Sequence, residues 1–150
     1  MRALLQRVSS AIVSVDGVEV GRVGPGLCVL VGIATGDQAE AADYLVDKII
    51  NLRIFADEVG KFGRSLLDVK GEMLLVSQFT LFADTRHGRR PSFTEAAPPT
   101  EAARLFNYFV DRARSSGIGV ATGRFQEHMD LEIHNDGPVT IILDSRGPLS

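Results

Sequence analysis

The chain has 150 residues, 45% of them apolar, which suits a single compact domain spanning residues 1–150 and able to build a core without staples. Sixteen basic against nineteen acidic residues leave a net charge of −3, which argues against coating DNA or RNA through bulk charge. A single cysteine, Cys28, excludes an internal disulfide, and the longest apolar stretch, Leu27 to Ala34, is broken by Gly32 and falls far short of the ~20 residues of a membrane helix. The opening Met1-Arg2-Ala3-Leu4-Leu5-Gln6-Arg7 lacks the uninterrupted apolar run of a signal peptide. A cytoplasmic protein without a membrane partner is expected.

The first third reads as strands. Ala11 to Val15 and Val18 to Val23 flank Asp16-Gly17, a dipeptide suited to the positive φ of a tight hairpin turn. Leu27 to Ile33 is nearly all apolar, as in a strand buried on both faces. From Asp37 to Leu52 the period changes, with Ala42, Leu45, Ile49 and Leu52 forming one helical stripe. Asp37 followed by Glu40 resembles a cap at its start. Arg53-Ile54-Phe55 and Glu72 to Ser77 read as further strands, with Gly60 and Gly63 marking a turn between them. A second helix is expected from Thr100 to Ser115 behind Pro98-Pro99, burying Ala102, Leu105, Phe106, Phe109 and Ala113. Met129, Leu131 and Ile133, then Val139, Ile141 and Leu143, alternate with other residues and predict a closing hairpin with Asn135-Asp136-Gly137-Pro138 at its tip. The expected fold is α/β of the α+β type: a mostly antiparallel, curved sheet or partly closed barrel carrying two main helices.

Several catalytic signatures are absent: no G-x-S-x-G elbow, no phosphate-binding G-x-x-x-x-G-K-[ST] loop and no G-x-G-x-x-G opening a helix. His128 and His134 share one strand face with Asp130 and Glu132, but six strand residues hold the two histidines ~20 Å apart, so no metal site is expected there and a solvated polar face is the simpler reading. Three other segments could carry chemistry. Ser77-Gln78-Phe79-Thr80 presents hydroxyl and amide groups where a buried strand ends, and the N–H groups of Phe79 and Thr80 could face a developing oxyanion. On spacing alone, a strand end whose polar side chains satisfy nearby backbone accounts for it as well. Arg86, Arg89 and Arg90 concentrate positive charge on a Gly- and Pro-marked loop that otherwise reads as solvated. Gly137-Pro138 is open to a cis bond, although a plain turn explains it too, and Gly24-Pro25 and Gly147-Pro148 repeat the dipeptide.

Taken together, the chain resembles the D-aminoacyl-tRNA deacylases nearly end to end. The resemblance rests on Gln6-Arg7-Val8 with Ser14-Val15-Asp16-Gly17, on Asp47 to Phe55, on Val76-Ser77-Gln78-Phe79-Thr80-Leu81, on Arg90-Pro91-Ser92-Phe93, and on Asn135-Asp136-Gly137-Pro138-Val139-Thr140. The S-Q-F-T and N-x-G-P-[VT] segments are the family's two signatures. The resemblance implies a cofactor-free homodimeric ester hydrolase that frees D-amino acids from the 3′-terminal adenosine of tRNA. It implies that Gly137 and Pro138, joined by a cis bond, enter the partner subunit's pocket of Ser77, Gln78, Phe79 and Thr80. Their carbonyls would then exclude an L side chain, rejecting by steric clash and letting glycine mischarged on alanine tRNA through.

In the same terms Met129 and Ala102 line the pocket, and Arg86, Arg89 and Arg90 contact tRNA phosphates. Three chemistries are open: a positioned water, a Thr80 nucleophile, or a direct part for the 2′-hydroxyl of the terminal ribose. The last is preferred here because no histidine lies near Thr80 in sequence to activate it. Two segments depart from the family pattern: Phe125-Gln126-Glu127-His128-Met129 stands where Phe-Gly-Ala-x-Met is common, and Lys61-Phe62-Gly63-Arg64 replaces a Lys-Met-Asn. The alternative from another class is a non-catalytic tRNA- or RNA-binding module of the same fold.

Overall fold

The computed structural model describes residues 1–147, so Pro148 lies outside the described residues. Eight strands and three α-helices follow in the order β1 (Arg2–Val15), β2 (Val18–Val23), β3 (Gly26–Gly32), α1 (Ala39–Asn51), β4 (Phe55–Ala56), β5 (Phe62–Arg64), α2 (Leu66–Val69), β6 (Glu72–Ser77), α3 (Pro99–Arg114), β7 (Gly119–Thr122) and β8 (Asp130–Asp144). A 3₁₀ turn spans Phe79–Phe82 directly after β6.

The long strand β1 organises the sheet. Along one edge its first half pairs antiparallel with β3 and its second half with β2. The whole of its other edge pairs with β8. Asp16 and Gly17, at φ 50° and 78°, make the tight turn between β1 and β2 that the dipeptide predicts. Beyond β3 the sheet continues through β6 and β7, both parallel to their neighbours. It then curls until β7 meets β2. At Gly21 a Cβ atom would stand 2.7 Å from the Thr122 carbonyl oxygen, so the nearly closed barrel needs glycine there.

Two apolar clusters follow from the alternation of side chains across this sheet. Val8, Ala11, Val13, Val23, Cys28, Leu74 and Val76 fill the barrel. On the opposite face Leu5, Val29, Val31, Met73 and Leu75 pack under Leu45 and Ile49 of α1 and Leu105 and Phe109 of α3. Truncating a fully buried side chain such as Phe109 is expected to cost about 3–5 kcal/mol.

Several expectations are corrected. Residues 130–144 form one strand, not a hairpin, because both of its halves pair antiparallel with the same unbroken β1 and the chain therefore cannot reverse. The register jumps from Gln6↔Thr140 to Val8↔Asn135, so Asp136-Gly137-Pro138 leaves the ladder as a bulge in mid-strand. Asp37 does not cap α1, whose N-cap is Gln38 without a side-chain bond. Its carboxylate accepts the Ala34 N–H at 2.7 Å and lies 2.8 Å from the Met1 amino group, partners that hold it away from the helix end. Arg53 and Ile54 stand outside β4, since Ile54 turns into the core. Three elements went unforeseen: β5, β7 and the single turn α2, whose Ser65 and Asp68 form a reciprocal capping box. Among the described residues no helix is long and apolar enough to cross a membrane.

Candidate active site

The parallel strands β3, β6 and β7 end on the same side of the sheet, and a cavity of about 680 Å³ opens at their carboxyl ends. That is where ligands collect in sheets built of parallel strands, because the loops leaving such ends splay apart. Ile33 follows β3, and Ser77, Gln78 and Phe79 follow the apolar run of β6. The start of α3 contributes Pro98, Pro99 and Ala102, while Phe125 to Met129 come from the turn after β7. Of the residues singled out by sequence, Ser77, Gln78, Phe79, Ala102 and Met129 line this cavity together.

Backbone geometry around the S-Q-F-T segment is specific. The Gln78 N–H donates to the Val31 carbonyl at 2.7 Å, tying the end of β6 to β3. The chain then enters the 3₁₀ turn, in which the Leu81 and Ala83 N–H groups find acceptors at Gln78 and Thr80. Among the described residues the N–H groups of Phe79 and Thr80 have no acceptor, as expected of the first groups of a helical turn. The Gln78 carboxamide donates to the Thr80 hydroxyl. Phe79 is 56% exposed and meets Phe93 edge to face, with ring centroids 5.0 Å apart.

The basic loop is pinched at its base by paired backbone bonds between Asp84 and Ser92, of 2.7 and 2.9 Å. Arg86 is occupied within it: its guanidinium holds the Asp84 carboxylate at 2.7 Å, and that hydrogen bond brings the Asp84 pKa down to about 2. Arg89 and Arg90 are exposed and make no ion pair among the described residues.

Gly137 and Pro138 do not line their own chain's cavity. Their peptide bond is cis, and the bulge that carries them is exposed yet firmly held. Asn135 closes its neck, accepting the Val139 N–H at 2.8 Å and donating to the Thr140 hydroxyl at 3.0 Å. From the other side Arg7 donates Nε to the Asp136 carbonyl at 3.0 Å and Nη1 to the Ile54 carbonyl at 2.8 Å. At Gly137 φ is +136°, and a Cβ would come within 2.9 Å of Val139 Cγ2 and 3.1 Å of Arg7 Nη2, so only glycine fits.

Arg7 was missed as a functional candidate. Its signal was its place in Gln6-Arg7-Val8, one of the segments that carry the family resemblance. His128 was also misplaced: it precedes β8 and lines the cavity beside Gln126 and Glu127, instead of sharing a solvated strand face with His134. A histidine distant from Ser77 in sequence thus shares its cavity. Among the described residues, no three His, Cys, Asp or Glu side chains converge to hold a metal ion.

Comparison with known proteins agrees with this architecture. The model of the D-Tyr-tRNA(Tyr) deacylase family matches residues 4–144. A D-aminoacyl-tRNA deacylase of Dehalococcoides mccartyi is 63% identical over 100% of this chain and 98% of its own length. One of Heliobacterium modesticaldum is 58% identical over 98% of both chains. Among solved structures, a c-Myc DNA unwinding element binding protein superposes with TM-score 0.91 at 39% identity, covering 99% of this chain and 100% of its own. A probable eukaryotic D-amino acid tRNA deacylase shares the fold at TM-score 0.84 and 20% identity, over 95% and 97% of the two chains. The chain belongs to the D-Tyr-tRNA(Tyr) deacylase family.

Proposed function

We propose that this protein hydrolyses the ester joining a D-amino acid to the terminal adenosine of tRNA, releasing free amino acid and tRNA. The observation that carries this reading is the pair of unpartnered N–H groups at Phe79 and Thr80, beside a cavity whose walls are largely apolar. Two donors held by the backbone suit the oxyanion of a tetrahedral intermediate, and they need no reorganisation as charge develops. An aminoacyl ester is already activated, so positioning and oxyanion stabilisation suffice without a strong base. The Thr80 hydroxyl receives the Gln78 N–H and has no base among its hydrogen-bond partners, which favours attack by water assisted by the ribose 2′-hydroxyl over a threonine nucleophile.

The protein acts as a homodimer in this reading, with the Gly137–Pro138 bulge of each subunit seated in its partner's cavity. Support comes from the bulge being exposed, outside its own chain's cavity, and pinned by Arg7 and Asn135. Backbone carbonyls there occupy the space an L side chain needs, so selection works by exclusion and the side chain of a D substrate matters little. Glycine has no side chain to exclude, and glycine mischarged on alanine tRNA is a second substrate. Arg89 and Arg90 meet the phosphates of the acceptor end.

The test is deacylation of matched D-Tyr-tRNA and L-Tyr-tRNA, with chelator present and with light scattering on the same sample. Rapid loss of the D ester alone from a dimer is expected. Loss of both esters, or a monomer that retains selectivity, removes the gate. Activity lost to chelator and restored by zinc puts a metal in the mechanism. Bound tRNA with neither ester cleaved leaves the RNA-binding module.

A further inference from the structure

The turn after β7 holds its place from both ends. Phe125 lies against Phe106, with ring centroids 6.5 Å apart and planes at 29°, and Met129 packs on the barrel cluster. Between these anchors the Glu127 N–H closes the turn on the Arg124 carbonyl at 3.3 Å. Gln126 takes φ +64°, a left-handed conformation found at only two other non-glycine residues among those described, Asp16 and Lys70. Neither of those lines the cavity, and Gln126 does. A left-handed glutamine costs stability that glycine would not.

The cavity's chemistry says what that side chain can meet. Ile33, Val76, Ala97, Ala102, Phe125 and Met129 offer apolar walls, suited to the faces of a flat ring. The ring's polar edge then needs both a donor and an acceptor at the rim. Glu127 accepts only, and the Gln78 carboxamide is engaged with Thr80. The Ser77 hydroxyl is a single atom and the two ring nitrogens of His128 point apart, so none of these offers a donor and an acceptor side by side. The Gln126 carboxamide carries a donor and an acceptor together and has no hydrogen-bond partner among the described residues.

We infer that Gln126 is a specificity-determining residue whose carboxamide reads the edge of the terminal adenine, accepting from its N6 amino group and donating to N7. The inference rests on the deacylase reading of this cavity and adds a base contact to it. Glutamine pairs with adenine through these two positions, whereas guanine presents acceptors, N7 and O6, at both of the corresponding ones.

The experiment compares native protein with Gln126→Gly on D-Tyr-tRNA ending in adenosine or in 7-deazaadenosine, which lacks the N7 acceptor. For native protein the deaza substrate is expected to raise KM on the order of 10-fold, with kcat little changed. Gln126→Gly is expected to raise KM for the natural end by a similar factor and to show no further penalty with the deaza end. Its melting temperature should not fall, since glycine is at home at φ +64°, and Gln126→Asn, which keeps the carboxamide, provides a second folded variant that restores part of the deaza penalty. An unchanged KM in Gln126→Gly, or an equal deaza penalty in native and variant protein, overturns the inference. If native protein cleaves no D ester at all, the deacylase reading fails first, and the two failures are distinguishable.

Discussion

Removing the Arg7 guanidinium tests whether a held bulge makes the chiral filter. Arg7→Ala deletes the hydrogen bonds to the Asp136 and Ile54 carbonyls, at 3.0 and 2.8 Å. Both have a charged donor, which gives 1.5–3 kcal/mol when well buried, but the Asp136 bond is exposed, so about 1 kcal/mol each is the working figure. The Asp136 carboxylate, 3.6 Å away and 62% exposed, adds little. A total of about 2 kcal/mol corresponds to about 4–8 °C in melting temperature for a domain of this size. If all of it holds the bulge in place, the displaced population grows at most about 30-fold. Single-turnover deacylation of D-Tyr-tRNA and L-Tyr-tRNA reads this directly. The L-to-D rate ratio is expected to rise toward that ceiling, and Arg7→Lys, with the charge but not the fork, should fall between. A melting temperature lowered as stated, with the L-to-D ratio changed by less than about twofold, would refute the link between Arg7 and chirality.

Three further outcomes are expected. Thr80→Ala should slow D-Tyr-tRNA deacylation by well under about 10³-fold in single-turnover assays, and a larger loss makes Thr80 the nucleophile. Replacing Arg89 and Arg90 together with alanine should weaken tRNA binding and flatten the slope of log affinity against log salt by about 1.4, the share of two phosphate contacts on a single strand, whereas an unchanged slope places the phosphates elsewhere. Asp144 answers to pH. Burial alone would raise its pKa, but hydrogen bonds from Arg146 and Arg2 outweigh that and hold the carboxyl well below the usual range. Its folded pKa therefore lies below the unfolded value of about 3.9, so its stabilisation is complete above that pH and is lost as pH falls toward the folded value. Thermal melts should show Asp144→Asn less stable than native protein at pH 7, the gap narrowing below pH of about 4, and a gap constant with pH contradicts the pairing.

Much of this protein could be read locally. The Asp16-Gly17 turn, the stripe of Ala42, Leu45 and Ile49, and the proline before α3 each act over a few residues, where backbone preference and one apolar face decide. The Ser65–Asp68 box is equally local, closing within four residues. The S-Q-F-T and N-x-G-P segments were visible as motifs, because their chemistry depends on adjacent backbone groups. What the sequence could not carry was pairing. Alternation in 129–133 and 139–143 looks the same whether the chain turns back or runs on, and only the unbroken partner strand β1 decides for a bulge. Likewise nothing local makes β6 and β7 parallel to β3, yet that arrangement brings Ser77 and His128 to one cavity. Arg7 shows the same limit: its two acceptors lie 47 and 129 residues away, and only the pairing of β8 with β1 and the packing of the segment after α1 place them within reach of one guanidinium.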